Sequence, residues 1–530
     1  MNRNTHWRRW LPPALAAVIF ALLSLALLPL PGFEDDEVYF SVPLYSNVVA
    51  YSKRLFGHAI PLMAVNYYGA LKAWIYAMIF SIAPPSRWSV RLPMVIAGVA
   101  TIWLTWEWVR RIAGPRAAAF TVALLATDSI FILTNTFDWG PVALQHLLFV
   151  GGLVFLQFWL QRGGRRWLAL AFFLWGLGLW DKALMIWDLG GLAVAAFCVY
   201  PRESWRALRS KSARIAAVAL VAGALPLIVF NAVRHGATAV SNTHLSLASV
   251  PDKIAELKAV CRGDVLFDTI VAATPAPIPR EPATLIERVS LAWNDQLGPH
   301  RTRPFVFALV LAGIGWLFLF RRQQGRILAL LAIASVVAWL QMAANVGTGG
   351  AAHHVILIWP LPCAFIGIAL AGASERLPKY GRWAVAALVA WLTVANILNT
   401  NTYLASLIRN GATTQWTDAS ERLAGAISHY RNDPIVTVDW GYVNALRMFY
   451  GGELHLTPIN EATPDQIAAV ITQSNAILIE HTDDNQLFPG VNERLRAIAA
   501  GLGYSEQSLR TVHDDEGRPV FEIFRLTKTR

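Results

Sequence analysis

The sequence predicts a polytopic α-helical membrane protein that carries a small α/β domain outside the membrane at its C-terminal end. The chain has 530 residues, of which 55% are hydrophobic and 15% are charged, whereas about 25% of residues are charged in a typical soluble protein. Apolar runs close to the roughly 20 residues that a helix needs to cross a bilayer recur along most of the chain. Helical and strand patterns alternate only in the remainder, which is typical of an α/β domain.

The first apolar run, residues 11–31, follows Arg3, Arg8 and Arg9 and lacks the cleavage site of a signal peptide. We therefore expect a retained first span with the N-terminus in the cytoplasm. Ten further runs of spanning or near-spanning length bring the total to about eleven. They lie at residues 89–109, 117–133, 141–160, 167–180, 183–200, 215–233, 304–320, 327–344, 354–372 and 383–398.

The distribution of the net charge of +11 supports this topology and argues against a nucleic-acid-binding protein. Every loop predicted to face the cytoplasm holds at least three Arg or Lys residues, and the short predicted outer loops 134–140 and 345–352 hold none. Counting residues 61–83 as a span would place the arginines outside. We therefore expect an interfacial or re-entrant helix there, with Lys72 and its aromatic neighbours at headgroup level.

The predicted transmembrane domain covers residues 1–400, with outer loops at 32–88 and 234–303, and the extracytoplasmic α/β domain covers 401–530. Two amphipathic helices are expected in the second outer loop. In the α/β domain, the turn at Asp439 between a strand and a helix is either a plain connection or a ligand-binding edge.

The sharpest polar feature is the acidic run Glu34-Asp35-Asp36-Glu37, directly after the first span. Carboxylates at a membrane face are either solvated loop residues or a functional site. In a helix that begins near Glu34, only about two of the four would share a face. We expect Glu34 and Asp35 to solvate and cap the helix start, which leaves Asp36 and Glu37 as the catalytic candidates.

Three further outer positions carry candidate site residues. Asp138 either caps the helix after Pro141 or belongs to a site. Lys182 either marks a loop between two helices or binds a phosphate. The adjacent His353 and His354 are either interfacial or phosphate donors, and adjacent histidines do not share the i, i+4 face that zinc ligands on a helix prefer. The three cysteines, Cys198, Cys261 and Cys363, are widely separated and show no metal or disulfide pattern.

The order of these motifs resembles the GT-C glycosyltransferases of the protein O-mannosyltransferase and lipid A aminoarabinose transferase type, over roughly residues 1–400. The motifs are Asp36-Glu37-x-Tyr39, the RLP at 91–93, Asp181-Lys182 and the HHVILIWPLP that begins at His353. The resemblance implies that the DE pair supplies the catalytic carboxylate and that Lys182, His353 and His354 lie near the donor. The family's KPP segment, which holds a donor-phosphate lysine, is replaced by Ala59-Ile60-Pro61. Lys72 is the candidate donor-phosphate residue in its place, although whether it substitutes for that lysine is left open.

The predicted function is that of an inverting glycosyltransferase that moves a hexosyl or pentosyl group from a polyprenyl-phosphate donor to a hydroxyl of a lipid, glycan or protein acceptor. It would work on the outer face of the inner (plasma) membrane, with Asp36 as general base, Glu37 as a positioning group or second acid, and Asp138 as an orienting carboxylate. No cofactor is required, although a divalent cation between Asp36 and Asp138 is left open. The alternatives are a transporter or flippase of a lipid-linked saccharide and a membrane-anchored sensor.

Overall fold

The computed structural model describes residues 9–46, 49–55, 58–460, 462–471 and 476–529. Arg3 and Arg8, two of the arginines that precede the first predicted span, lie outside these residues. The helices up to the second outer loop are α1 Leu11–Leu27, α2 Ser41–Tyr45, α3 Leu71–Phe80, α4 Arg87–Ala113, α5 Pro115–Thr127, α6 Ser129–Thr136, α7 Val142–Arg162, α8 Arg165–Asp181, α9 Met185–Val199, α10 Pro201–Arg209, α11 Lys211–Gly223 and α12 Leu225–Val233. The helices that follow are α13 Ala237–Asn242, α14 Val250–Arg262, α15 Leu285–Leu297, α16 Phe305–Leu319, α17 Gln323–Ala343, α18 Ala352–Val355, α19 Pro360–Ser374, α20 Lys379–Asn410, α21 Ala419–Ala426, α22 Val443–Phe449, α23 Pro464–Ile471 and α24 Val491–Gly501.

Each of the eleven predicted apolar runs coincides with a helix or a bent helix pair. Within the described residues, four helices are long and apolar enough to cross a membrane, and three bent pairs raise the number to seven. The four are α4, α7, α17 and α20, and the pairs are α5 with α6, α11 with α12, and 352–358 with α19. The other predicted runs correspond to the shorter helices α1, α8, α9 and α16. The total of eleven crossings stays a prediction.

A buried ion pair stabilises the break between α5 and α6. Asp128 leaves the helical conformation and caps α6, because its Oδ1 accepts the backbone N–H of Phe131 at 3.0 Å. Its other oxygen accepts the indole N–H of Trp359 at 2.6 Å and pairs with the guanidinium of Arg303. Since Arg303 ends the second outer loop, this contact fixes that loop to the helix bundle.

The segment 61–83 differs from its prediction. Its first residues form strand β2 (His58–Met63), which pairs antiparallel with β1 (Tyr51–Leu55), and only α3 is helical. Lys72 is 5% exposed and lies inside the protein rather than on its surface, and its predicted depth at headgroup level stays a prediction. The two helices predicted in the second outer loop are present as α14 and α15.

The C-terminal part contains a five-stranded sheet in the order β4-β3-β5-β7-β6. Strands β3, β4 and β5 are parallel, and β6 and β7 are antiparallel to their neighbours. The strands are β3 Ile435–Val438, β4 Leu456–Ile459, β5 Ile477–His481, β6 Tyr504–His513 and β7 Pro519–Lys528. The strand patterns in the sequence, PIVTVDW, NAILIEHT and PVFEIFRL, correspond to β3, β5 and β7, and β4 and β6 were not predicted. The helix α20 continues past the predicted domain boundary at residue 400 and ends at Asn410.

Candidate active site

The acidic run forms a tight turn rather than the start of a helix. Glu34 is fully buried, and its Oε2 accepts the backbone N–H groups of Asp36 at 2.7 Å and of Glu37 at 3.1 Å. Gln415 donates to the other oxygen at 3.0 Å. Glu34 therefore caps this turn, but the prediction of a helix beginning near Glu34 is wrong, because the helix begins at Ser41.

Asp35 joins the acidic turn to the C-terminal domain. The side-chain amide of Asn444 donates to its Oδ2 at 2.7 Å, and the backbone N–H of Asn444 donates to its Oδ1 at 3.3 Å. Burial, followed by the charge of Asp36, raises the pKa of Asp35 to about 7. Asp35 is thus a buried contact between two parts of the chain, and its predicted role as a solvated residue is wrong.

Glu37 is held by a buried arginine. The guanidinium of Arg91 donates to both of its oxygens, at 2.6 and 2.7 Å, and both side chains are completely buried. The same guanidinium donates to the backbone carbonyls of Leu28 at 2.6 Å, Pro31 at 2.9 Å and Gly32 at 2.6 Å. Arg91, which α4 supplies, therefore fixes the chain between the first span and the acidic turn.

Asp36 differs from its three acidic neighbours because its side chain is partly exposed. Within the described part of the chain, its carboxylate accepts no hydrogen bond, and the positive charges of Lys182 and Lys72 act on it. Burial raises the pKa of Asp36, and the two lysines oppose this shift. The aromatic rings of Tyr67 and Tyr68 lie near this carboxylate, with their centroids 4.4 Å apart.

Lys72 links the acidic turn to Asp138. Its ammonium lies 2.7 Å from Oδ2 of Asp138 and donates to the backbone carbonyl of Glu37 at 2.9 Å. The other oxygen of Asp138 accepts the backbone N–H of Ala143, in the first turn of α7, at 2.7 Å. Asp138 therefore caps α7 and also contacts Lys72, so its capping contact does not exclude a place in the candidate site.

Lys182 lies at the junction of α8 and α9, where the backbone pairs with the first outer loop. The backbone N–H of Ala183 donates to the backbone carbonyl of Tyr67 at 2.9 Å, and that of Gly69 donates to the backbone carbonyl of Asp181 at 3.1 Å. The buried ammonium of Lys182 donates to the carbonyl of Gly140 at 2.5 Å. These contacts hold Lys182 beside the 138–140 turn.

Gly140 brings Lys182 and His353 close together. It has a φ of +67°, and a Cβ atom added there would lie 2.8 Å from Cδ2 of His353 and 3.2 Å from Nζ of Lys182. The ring of His353 packs on Trp139 with centroids 4.4 Å apart, and the ring of His354 lies 4.2 Å from that of His353. The structure therefore gathers every residue that the sequence singled out for the site into one region.

The described residues fit a divalent cation poorly at the place that the sequence left open. The Lys72 ammonium already supplies a positive charge beside Asp138, and both oxygens of that carboxylate are engaged. In the described ranges, no group of three or more His, Cys, Asp and Glu side chains is arranged to hold a metal ion.

The sequence singled out Arg91 only as part of the RLP motif, without its role, and it did not identify Gly140, Gln415 and Asn444, which also hold the site. A charged residue near the end of an apolar run is a usable signal for Arg91, but Gln415 and Asn444 are ordinary polar residues far along the chain. The turn at Asp439 is a plain connection, because His481 at 2.9 Å and two backbone N–H groups engage its buried carboxylate. The helix α22 that follows this turn carries Asn444.

The chain is similar to one family model in sequence and to several solved proteins in structure. Residues 69–230 match the family model described as dolichyl-phosphate-mannose-protein mannosyltransferase. The structure is similar to that of ArnT from Cupriavidus metallidurans bound to undecaprenyl phosphate, with 14% sequence identity, a TM-score of 0.57 and coverage of 97% of each chain. It is also similar to the Archaeoglobus fulgidus oligosaccharyltransferase in the apo form, with 12% identity, a TM-score of 0.53, and coverage of 100% of this chain and 75% of that one. No curated protein matches the chain by sequence.

The matched segment includes Lys72, Arg91, Asp138 and Lys182, and the structural similarity extends over nearly the whole chain. The apolar helices and this similarity identify a multi-pass membrane protein. Over residues 69–230 the comparison confirms the predicted resemblance to protein mannosyltransferases, and the structural similarities show that the chain shares the fold of ArnT and of the oligosaccharyltransferase.

Proposed function

We propose that the chain is an inverting glycosyltransferase that moves a hexosyl or pentosyl group from a polyprenyl-phosphate donor to an acceptor hydroxyl on the extracytoplasmic face. The observation that carries the proposal is the Asp36 carboxylate, which is partly exposed, has no hydrogen-bond donor among the described residues, and interacts electrostatically with Lys182 and Lys72. The matching family is named for a dolichyl-phosphate sugar, and the ArnT structure contains undecaprenyl phosphate, which supports this donor class.

Asp36 is the general base of the proposed reaction. It takes the proton of the acceptor hydroxyl as the oxygen attacks the anomeric carbon, and the bond from that carbon to the phosphate oxygen breaks on the opposite side. The anomeric configuration is therefore inverted. A raised pKa suits this role, because a base is most effective when its pKa is near the working pH.

The donor phosphate is proposed to lie by Lys182, His353 and His354. The departing polyprenyl phosphate gains negative charge, and a cation held in a site that excludes water stabilises that charge. Lys182 is fully buried, and Gly140 leaves room for its ammonium beside His353. Lys72 already pairs with Asp138. We therefore propose that its main role is to keep Asp36 and Asp138 in place, and that Lys182 makes the main contact with the phosphate.

Glu37 is proposed as a positioning residue. Both of its oxygens are engaged by Arg91 and its side chain has no exposed surface, so it holds the acidic turn without reaching an acceptor. Asp138 orients Lys72 in the same way. A requirement for a divalent cation is not part of the proposal, because Lys72 provides the positive charge at Asp138.

The domain arrangement is proposed to be a transmembrane domain over residues 1–400 and an extracytoplasmic domain over 401–530, in the inner membrane, with the N-terminus in the cytoplasm. The C-terminal domain contacts the acidic turn through Gln415 and Asn444, which is consistent with both lying on the same side. We propose that this domain positions the catalytic turn and borders the acceptor.

The proposal is tested by reconstituting the purified protein with a polyprenyl-phosphate sugar and following the release of polyprenyl phosphate. We expect Asp36→Asn to lower the transfer rate by about 10²–10⁴-fold, which is the usual contribution of a general base. Asp295→Asn is the control, because Asp295 is an exposed carboxylate of the second outer loop whose ion pair is with Arg409 and not with the acidic turn. A rate for Asp36→Asn equal to that of the wild type would overturn the assignment of the base.

The alternative function is the translocation of a lipid-linked saccharide. The same liposomes distinguish the two functions, because a flippase moves the labelled donor between leaflets without breaking the sugar–phosphate bond. Intact labelled donor that changes leaflet at a rate independent of Asp36 would support the flippase and contradict the transferase.

A further inference from the structure

A second pocket lies far from the acidic turn, at the other end of the helix bundle. It has a volume of about 400 Å³ and is walled by the residues before α1 and by the far ends of α4 and α7. Both sites use helix α4: Arg91 holds the acidic turn, and Glu107 lines the pocket. They are 16 residues apart, and at a rise of 1.5 Å per residue they are separated by about 24 Å. That separation is close to the hydrocarbon thickness of a bilayer, about 30 Å.

The pocket is strongly basic. Four arginines and one glutamate line it, which leaves three net positive charges. Glu107 accepts hydrogen bonds from Arg110 at 2.8 Å and from Arg111 at 2.6 Å, and so holds both guanidinium groups at the wall. Arg9 and Arg162 have no carboxylate partner within the described ranges, and their guanidinium groups rest on aromatic rings instead.

A buried donor also lines this pocket. The side chain of Trp106 is 1% exposed, and its indole nitrogen has no acceptor among the residues that the structure describes. A buried N–H without an acceptor is unfavourable, so an occupant whose oxygen reached this indole nitrogen would gain a hydrogen bond. Guanidinium groups and an indole N–H are all donors, and their common partner is an oxyanion.

We propose that this pocket binds the phosphate headgroup of an anionic phospholipid from the leaflet at that end of the bundle. Basic pockets between transmembrane helices bind such headgroups, and tryptophans are enriched at this depth. Beside the pocket, the outer faces of α1 and α7 expose Leu11 (54%), Leu15 (56%) and Leu160 (63%), which offer an apolar surface to the acyl chains. The lipid would therefore be held by its headgroup in the pocket and by its chains along these helices.

This site is separate from the proposed donor site. The polyprenyl phosphate is proposed to lie beside Lys182, whereas the pocket is formed by the opposite ends of the helices. A bound phospholipid here would join α1, α4 and α7 to one another. It would stabilise the bundle without contacting the reacting groups.

The test is native mass spectrometry of the full chain, titrated with phosphatidylglycerol, phosphatidylethanolamine or inorganic phosphate. We expect phosphatidylglycerol to bind selectively, Arg162→Gln to weaken it about five-fold, and Trp106→Phe to weaken it about ten-fold, since each removes a donor to the phosphate. Arg166→Gln is the matched control, because Arg166 also rests on an aromatic ring near this end but does not line the pocket. Thermal unfolding without added lipid verifies that the variants are folded.

Two results would overturn the proposal. One is an affinity for phosphatidylglycerol that is the same in Arg162→Gln, Trp106→Phe and Arg166→Gln. The other is binding of inorganic phosphate that depends on Arg162 with no preference for phosphatidylglycerol over phosphatidylethanolamine, which would identify a site for free phosphate. Inorganic phosphate that competes with phosphatidylglycerol in the wild type, but not in Arg162→Gln, would support the proposed headgroup contact.

Discussion

Replacing Arg91 by Lys should destabilise the protein although the positive charge is kept. Arg91 makes five hydrogen bonds to buried oxygens, two to Glu37 and three to backbone carbonyls. An ammonium group can donate only about three hydrogen bonds and lacks the planar fork that matches a carboxylate. About two buried oxygens then lose their donors, at about 1–3 kcal/mol each, so we expect a loss of about 2–6 kcal/mol in the free energy of unfolding.

The assay is thermal unfolding of the purified protein in lipid-free detergent, followed by tryptophan fluorescence. Arg110→Lys is the control, because Arg110 lies on the same helix and its pair with Glu107 is 33% exposed on the arginine side. An exposed pair of this kind contributes about 0–1 kcal/mol. If Arg91→Lys unfolded at the same temperature as Arg110→Lys and the wild type, the reasoning about the buried guanidinium would be refuted.

Three further predictions concern the site. Gly140→Ala should lower the transfer rate at least ten-fold with little change in expression, since the new Cβ crowds His353 and Lys182 at a φ of +67°; wild-type kinetics would contradict the tight contact. The transfer rate should fall as the pH is lowered through the raised pKa of Asp36, because the protonated carboxyl cannot accept a proton, and a rate that is flat from neutral pH to pH 4 would contradict this. Treatment with a chelator should leave transfer unchanged, because Lys72 supplies the charge at Asp138, whereas loss of transfer that is restored by Mg²⁺ would show a metal requirement.

The sequence located the helical segments well because bilayer-length apolar runs and arginine-rich loops are strong local signals. It also selected Asp36, Glu37, Asp138, Lys182 and the two histidines, since polar residues at the outer ends of apolar runs are costly and stand out. The structure brings them together through the turns at the ends of these helices.

The partners of these residues were harder to predict. Whether a carboxylate is free or paired depends on a contact between distant segments, such as Glu37 with Arg91 or Asp35 with Asn444. The apolar residues of 61–83 fit a helix, so the sequence predicted one. In the structure, the turn between β2 and α3 pairs through its backbone with residues 181–183, and the helix begins only after this turn. Long-range backbone pairing of this kind leaves no periodic signal in a single sequence.

The contact between the acidic turn and the C-terminal domain also constrains the topology of the chain. Glu34 and Asp35 touch Gln415 and Asn444 directly, so all four residues lie on the same side of the bilayer. A chain that leaves one face of a membrane and returns to it must cross an even number of times. The ten apolar runs predicted between these contacts satisfy that condition, whereas an additional crossing at 61–83 would make the number odd and separate Asp35 from Asn444.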